Sequence, residues 1–163
     1  MFLNVYFHPF EEILLFQDTI SGLRLMTDDP RNYVFNLHLR SEAVSISARP
    51  IVGNCCLRWK AEENGHHHYE IGYWLHGGYT GRGLTTECVK GLIKFARSEL
   101  GAFKLSLYVN EGNFGSKRVA EKSGFTLVRN EVVRYDNTRP DWGIRVNHYF
   151  EMLLRENTTF DAM

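Results

Sequence analysis

The residues best suited to chemistry in this chain are Tyr79-Thr80-Gly81-Arg82-Gly83-Leu84-Thr85-Thr86. They stand between a strand-like run and a helical pattern. A Gly-rich loop in that position turns backbone N–H groups toward one point, and the helix start adds partial positive charge, so the place suits a phosphate. Arg82 adds a planar, forked donor for phosphate oxygens. A P-loop requires Lys and then Ser/Thr after its last glycine, whereas Gly83 is followed by Leu84 and Thr85. A dinucleotide fingerprint requires a third glycine where Thr86 stands. A plain glycine turn ahead of a helix accounts for the loop by itself.

Further along, Asn113 precedes a short helical stretch and makes a good N-cap, with Ser116 at N3. Ser116 can donate a proton or hold a water; the plainer account is a solvated helix residue. Glu70 alternates with Gly72 and Trp74 on one face of the run Tyr69–Leu75. It reads either as a general base for an attacking amine, acting directly or through water, or as a surface carboxylate. Glu87, in the first turn of the helix after the loop, is accounted for by the helix dipole. His66, His67 and His68 invite a metal reading, but adjacent residues on a strand alternate faces and no carboxylate or Cys cluster lies near them in sequence. A solvated turn, without metal, is the expectation. The chain has no Gly-x-Ser-x-Gly elbow for a serine hydrolase.

These residues need elements to hold them. Tyr69–Leu75 reads as a strand. After the loop, Val89, Leu92, Ile93, Ala96 and Leu100 fall on one face of a helix that ends near Gly101. Phe103, Leu105, Leu107 and Val109 then alternate with polar residues, so strand, helix and strand imply a right-handed parallel crossover. Phe114–Ser123 is a short helix closed by Gly124, and Phe125–Arg134 with Arg145–Leu154 forms a final hairpin around 136–143. Tyr135, Trp142, Tyr149 and Phe150 read as aromatic core, or else as the wall of an acceptor groove. Upstream, Tyr33–Leu39 and Ile51–Trp59 are strands, and 61–67 is a polar turn leading to Tyr69–Leu75, which together make an antiparallel meander. Phe2–Phe7 suggests a short first strand. Ile13, Leu14, Phe16, Ile20 and Leu23 make 11–23 an amphipathic helix. The fold class is α+β: a mostly antiparallel sheet, flanked by helices, with one parallel junction between 69–75 and 103–109. Ligands bind beyond the carboxyl ends of parallel strands, beside helix N-termini. The helix starts at Thr85/Thr86 and Asn113 converge there.

At 163 residues the whole chain, 1–163, reads as a single domain. Its 19 basic and 19 acidic residues cancel, which argues against a broad nucleic-acid footprint. Cys55, Cys56 and Cys88 are odd in number and form no CxxC pair, so they read as buried thiols of a reduced, cytoplasmic protein. No apolar run approaches the roughly 20 residues of a membrane span, and the N-terminus lacks the features of a signal peptide.

The order and spacing of four segments, Glu70–Leu75, Gly81–Glu87, Asn113–Ser116 and Glu121–Phe125, resemble the GNAT superfamily of N-acetyltransferases. The match is to the branch typified by the ribosomal-protein N-acetyltransferases, and it covers about Ile51 to Leu154. The family's pyrophosphate loop, Gln/Arg-x-x-Gly-x-Gly/Ala, would fall on Thr80–Thr85, with both outer positions changed. The resemblance implies acetyl-CoA as co-substrate, held by Gly81, Arg82, Gly83, Leu84, Thr85 and Thr86. It also implies that Trp74 and Leu75 offer backbone groups to the pantetheine arm, their side chains being core, and that Asn113 bonds the same arm. The family commonly places a Tyr further along the second helix to protonate the leaving thiolate. That position here is Ala120, which leaves Ser116 as the candidate acid and Glu70 as the candidate base.

The resemblance further implies that an amine attacks the thioester directly in a ternary complex, without a covalent enzyme intermediate. A backbone α-amine has a pKa of about 7.7–8.0 and Lys about 10.4, so neutralising lysine at pH 7 costs roughly 3.5 kcal/mol more. Protein N-termini and small amines therefore lead as acceptors. A non-catalytic CoA-binding module and a generic nucleotide binder are the competing readings. The segment before the central strands is shorter than the family's usual two-helix roof. The apolar face of the helix 11–23 is then expected to seek cover in a homodimer.

Overall fold

The computed structural model describes residues 13–17, 29–39, 50–63, 65–134 and 144–154. The strands are β1 (Ile13–Gln17), β2 (Tyr33–Leu39), β3 (Ile51–Glu63), β4 (His66–Leu75), β5 (Ala102–Asn110), β6 (Thr126–Arg134) and β7 (Ile144–Leu153). A 3-10 turn, Gly77–Tyr79, follows β4, and the helices among the described residues are α1 (Leu84–Ser98) and α2 (Phe114–Lys122). Seven strands form one sheet in the order β1-β2-β3-β4-β5-β7-β6. All neighbours are antiparallel except β4 and β5. The expected parallel junction is therefore present, and the mixed α+β class holds.

That junction is short. His67–Glu70 pair with Ala102–Ser106, and the ladder stops there. Beyond Glu70, β4 still pairs with β3 as far as Leu75, while β5 pairs with β7 as far as Asn110. The carboxyl-terminal halves of β4 and β5 thus part company, and a gap opens in the middle of the sheet.

One face of the sheet carries the apolar core. Phe35, Leu37, Leu57, Ile71, Leu105, Leu107 and Phe150 are each at most 2% exposed and meet Leu84, Val89, Leu92, Phe95 and Ala96 of α1. The rings of Tyr33 and Phe35 stand edge-on to Phe95, each at 5.4 Å. The period of the apolar residues sets this packing: every second residue of a strand meets every third or fourth of the helix. The other face is polar, with Asn54, Arg58, Glu70, Ser106 and Tyr108 projecting from neighbouring strands.

Three expectations change. Residues 13–17 are a strand, not part of a helix, and pair with β2 from Ile13 opposite Leu39 to Gln17 opposite Phe35. An Ile-Leu-Leu-Phe run satisfies either period, and a neighbouring edge with unpaired backbone groups decides for the strand. Ile13, Leu14 and Phe16 are therefore on a strand, not on the helix invoked for a dimer. Most of the polar turn assigned to 61–67 is strand: β3 runs to Glu63 and β4 begins at His66, with Gly65 at φ 78° before it. His66, His67 and His68 consequently lie on β4, where His67 Nδ1 is 3.0 Å from the Leu100 carbonyl and His68 Nε2 is 2.9 Å from Ser106 Oγ. Trp74 is not core, its side chain being 52% exposed, whereas Leu75 does pack against the core. The first strand expected at 2–7, the helix beyond Gln17, Tyr135 and Trp142 fall outside the described residues. Phe150 is core, and Tyr149 is buried on the polar face against Tyr108.

Candidate active site

Two cavities meet at the gap between β4 and β5. The larger, about 530 Å³, runs from the glycine loop across the start of α1 to α2. The smaller, about 320 Å³, opens on the polar face of the sheet. Tyr73, Trp74, Asn113 and Ser116 line both, so these four residues form the partition between them.

One wall of the larger cavity is the glycine loop and the start of α1. The 3-10 turn is closed by His76, whose Nδ1 accepts from Gly78 N at 3.2 Å, and by Thr80, whose hydroxyl donates to the Gly77 carbonyl at 2.9 Å. Gly81 and Gly83 then adopt φ 79° and 83°, left-handed values that L residues reach only at a cost. No heavy atom lies within 4 Å of where a Cβ would stand on either. Gly83 caps α1 without a side chain, and the first intrahelical bond runs from Glu87 N to Gly83 O at 3.0 Å. The amides of Leu84, Thr85 and Thr86 have no carbonyl one turn behind them in the helix, the arrangement that receives anions. Trp74 and Leu75 line the opposite wall. Arg82 is not on this wall; its guanidinium lies 6.0 Å from the centre of the Tyr79 ring. The basic side chains that do line it are Arg118 and Lys122, one turn apart on α2.

Asn113 caps α2 as expected, its Oδ1 accepting from Ser116 N at 3.0 Å. Tyr73 reaches the same turn from β4, its hydroxyl donating to the Ser116 carbonyl at 3.4 Å. Burial raises the Tyr73 hydroxyl above the ordinary range of a phenol, so it stays protonated. Ala120 is fully buried in the core and lines neither cavity.

Residues from four strands build the smaller cavity: Val34 from β2, Asn54, Cys56 and Arg58 from β3, Gly72 from β4, and Tyr108 from β5. Burial pushes the Cys56 thiol up, which keeps it a thiol and makes it a wall rather than a nucleophile. Gly72 has a packing reason to lack a side chain. A Cβ there would stand 2.9 Å from Cys56 Sγ and 3.4 Å from Arg58 Nη2. Glu70 is 7% exposed and lines neither cavity. Its Oε1 accepts from Arg58 Nη2 and its Oε2 lies 3.0 Å from Lys60 Nζ. Both carboxylate oxygens are thus engaged, and the residue that reaches the cavity is Arg58.

The structure therefore gathers Trp74, Leu75, Gly81, Gly83, Leu84, Thr85, Thr86, Asn113 and Ser116 around one cleft. It moves Glu70 behind Arg58, and it adds Tyr73, Arg58, Arg118 and Lys122. Arg118 and Lys122 carried a local signal, their i, i+4 spacing. Arg58 carried none, since only strand register brings it opposite Glu70.

A family model described as Acetyltransferase (GNAT) domain matches residues 14–126. The chain belongs to the GNAT acetyltransferases. Acetyl-CoA is the donor this family uses. The larger cavity fits such a group: open space over two left-handed glycines, a helix start for phosphate oxygens, and an unpaired strand edge beyond. Among curated proteins, the "Probable N-acetyltransferase YjcK" of Bacillus subtilis is 40% identical over 55 residues, which are 34% of this chain and 30% of that protein. Of solved structures, Mycobacterium smegmatis RimJ in complex with CoA-disulfide superposes with a TM-score of 0.65 at 19% identity, covering 85% of this chain and 61% of RimJ. The microcin C7 self-immunity acetyltransferase MccE, in complex with acetyl-CoA and AMP, gives 0.63 at 16% identity, covering 82% of this chain and 69% of MccE. At those identities the likeness is one of fold. Among the described residues, no helix of this GNAT chain is long and apolar enough to cross a membrane.

Proposed function

We propose that this GNAT protein transfers an acetyl group from acetyl-CoA to a primary amine, either a protein N-terminal α-amine or a small amine. The observation that carries the reading is the partition: Ser116 lines both of the clefts that meet there, one for the donor and one for the acceptor. Bound acetyl-CoA supplies an activated thioester. The amides at the start of α1, with Arg118 and Lys122, hold its phosphates. The free edge of β4 at Trp74 and Leu75 orients the pantetheine arm, with Asn113 opposite. Ser116 keeps a proton at Oγ for the leaving sulfur, and Tyr73 fixes that turn of α2 through the Ser116 carbonyl. Glu70 is a positioning residue that holds Arg58 against the acceptor cleft. An acceptor amine sheds its proton to water, which suits an α-amine better than a lysine. Holding the two substrates on either side of one partition supplies much of the acceleration.

A homodimer is proposed on a different ground from the sequence. The outer strand β6 exposes Val128 and Val132, with Ile144 of β7 beside them, an apolar edge suited to a second copy. Light scattering at micromolar concentration tests it, and a monomer there rules it out. The enzymatic reading is tested by thermal unfolding with acetyl-CoA, followed by a thiol-release assay over an amine panel. A ligand at about 100 times its Kd adds roughly 2.7 kcal/mol of stability. Stabilisation without release from any amine would leave a CoA-binding module, and equal stabilisation by ATP or NAD a generic nucleotide binder.

A further inference from the structure

Among the described residues, the acceptor cleft has one charged residue in its wall, Arg58. Its environment fixes both its place and its sign. Glu70 bonds Nη2, and Lys60 Nζ lies 3.0 Å from the other oxygen of Glu70. Two cations around one carboxylate leave the group with a net single positive charge. The guanidinium stands beside Gly72, with Nη2 3.4 Å and Cζ 3.6 Å from where a Cβ would be, so the missing side chain at 72 gives it room on the cleft wall. Its side chain is 36% exposed. Gly72 is followed in β4 by Tyr73, which bonds the turn bearing Ser116, so the cation and the candidate acid meet neighbouring residues of one strand.

A protonated diamine or a lysine side chain would find a repelling charge here. An acceptor with an anion close to its amine would find a partner.

We propose that the acceptor carries a carboxylate beside its reactive amine, and that Arg58 receives that carboxylate. The inference rests on the acetyl-transfer reading and names its substrate class. Arg58 presents donors only, in a fork that matches carboxylate geometry. Glu70 holds the fork still without neutralising the whole cluster. The carboxylate can be the α-carboxylate of a free amino acid or the side chain of an acidic first residue in a peptide. The chemistry is the same, and the two sources separate in the assay.

The test is thiol release from acetyl-CoA with matched pairs of acceptors. One arm compares free amino acids with their carboxamides. The other compares peptide amides beginning with Asp or Glu with those beginning with Asn or Gln. In the arm that holds the true source, the carboxylate member should have kcat/KM about 10- to 100-fold above its amide, mainly through KM, as expected for a charge-assisted hydrogen bond. Arg58→Gln should bring the ratio close to one, and Arg58→Lys should keep part of it. Glu70→Gln removes the compensating charge and should raise the ratio. A purely structural role for the pair would lower activity on both members and leave their ratio alone. Retained stabilisation of each variant by acetyl-CoA shows that it is folded. Equal rates for carboxylate and amide in both arms, with acetyl-CoA still stabilising the protein, would overturn this inference and leave acetyl transfer standing. Absence of stabilisation by acetyl-CoA would overturn both.

Discussion

The two cavities that meet at Ser116 are built in different ways. The donor cleft has a local backbone part, in which a 3-10 turn, two left-handed glycines and the first turn of α1 lie within residues 77–87, and β4 and α2 close it from either side. The acceptor cleft is mostly side chain and wholly non-local, drawing on β2, β3, β4 and β5. Backbone amides at a helix start point where the chain direction makes them point, so they recognise phosphate whatever the side chains are. A wall of side chains from four strands recognises whatever those residue types prefer, and each can change without disturbing the loop. On the proposed function, the donor side is the general one and the acceptor side is where specificity sits.

Breaking the donor side should have the largest effect. Gly83→Asp places a side chain and a negative charge at the phosphate position, on a backbone with φ 83°. Stabilisation by acetyl-CoA, about 2.7 kcal/mol at 100 times the Kd, should vanish, and turnover with it. The left-handed backbone adds roughly 1–2 kcal/mol of destabilisation. A folded variant with unchanged affinity for acetyl-CoA would remove the loop from the site.

Breaking the partition should come next. Ser116→Ala should lower turnover about 10²-fold while the affinity for acetyl-CoA barely moves. Tyr73→Phe serves as its control. It loses only a 3.4 Å bond to a carbonyl and should cost far less. A larger loss for Tyr73→Phe would transfer the acid role to the phenol.

The acceptor side can be narrowed without touching the loop. At Gly72→Ala the new Cβ meets Cys56 Sγ at 2.9 Å, so something must shift. Overpacking of this kind costs about 1–3 kcal/mol. The acceptor KM should rise while stabilisation by acetyl-CoA stays as it was. Equal loss on both sides would show that the clefts are not independent.

The smallest effect concerns pH. Tyr149 lies behind Tyr108, with ring centres 4.8 Å apart, and donates to Glu151 Oε1 at 2.7 Å. Burial, with the hydrogen bond to Glu151, pushes its hydroxyl up to about 12. A folded pKa above the unfolded value of about 10 means the contribution is whole below pH 10 and is lost as pH rises toward 12. Thermal unfolding should weaken across that window, and Tyr149→Phe should flatten the decline. An unchanged slope in the variant would assign the decline to other groups.

Much of the framework was legible in the residues themselves. The strands at 33–39 and 103–109, both helices after Leu75 and the cap at Asn113 follow from period and capping, because those signals lie within a few residues of one another. The glycine loop belongs to the same class. Two local readings failed, for different reasons. Asn64-Gly65 is a strong two-residue hairpin signal, and reading 61–67 as one polar turn overlooked it, which misplaced the three histidines. At 13–17 the residues satisfied two periods, and the open edge of β2 chose between them. The rest was decided only in three dimensions. Strand register puts Arg58 opposite Glu70, and the carboxylate accepts from its guanidinium. The early end of the β4–β5 ladder opens the gap, leaves Trp74 exposed and brings Tyr73 to Ser116 across 43 residues. Register depends on every strand in the sheet at once, so no local pattern encodes it.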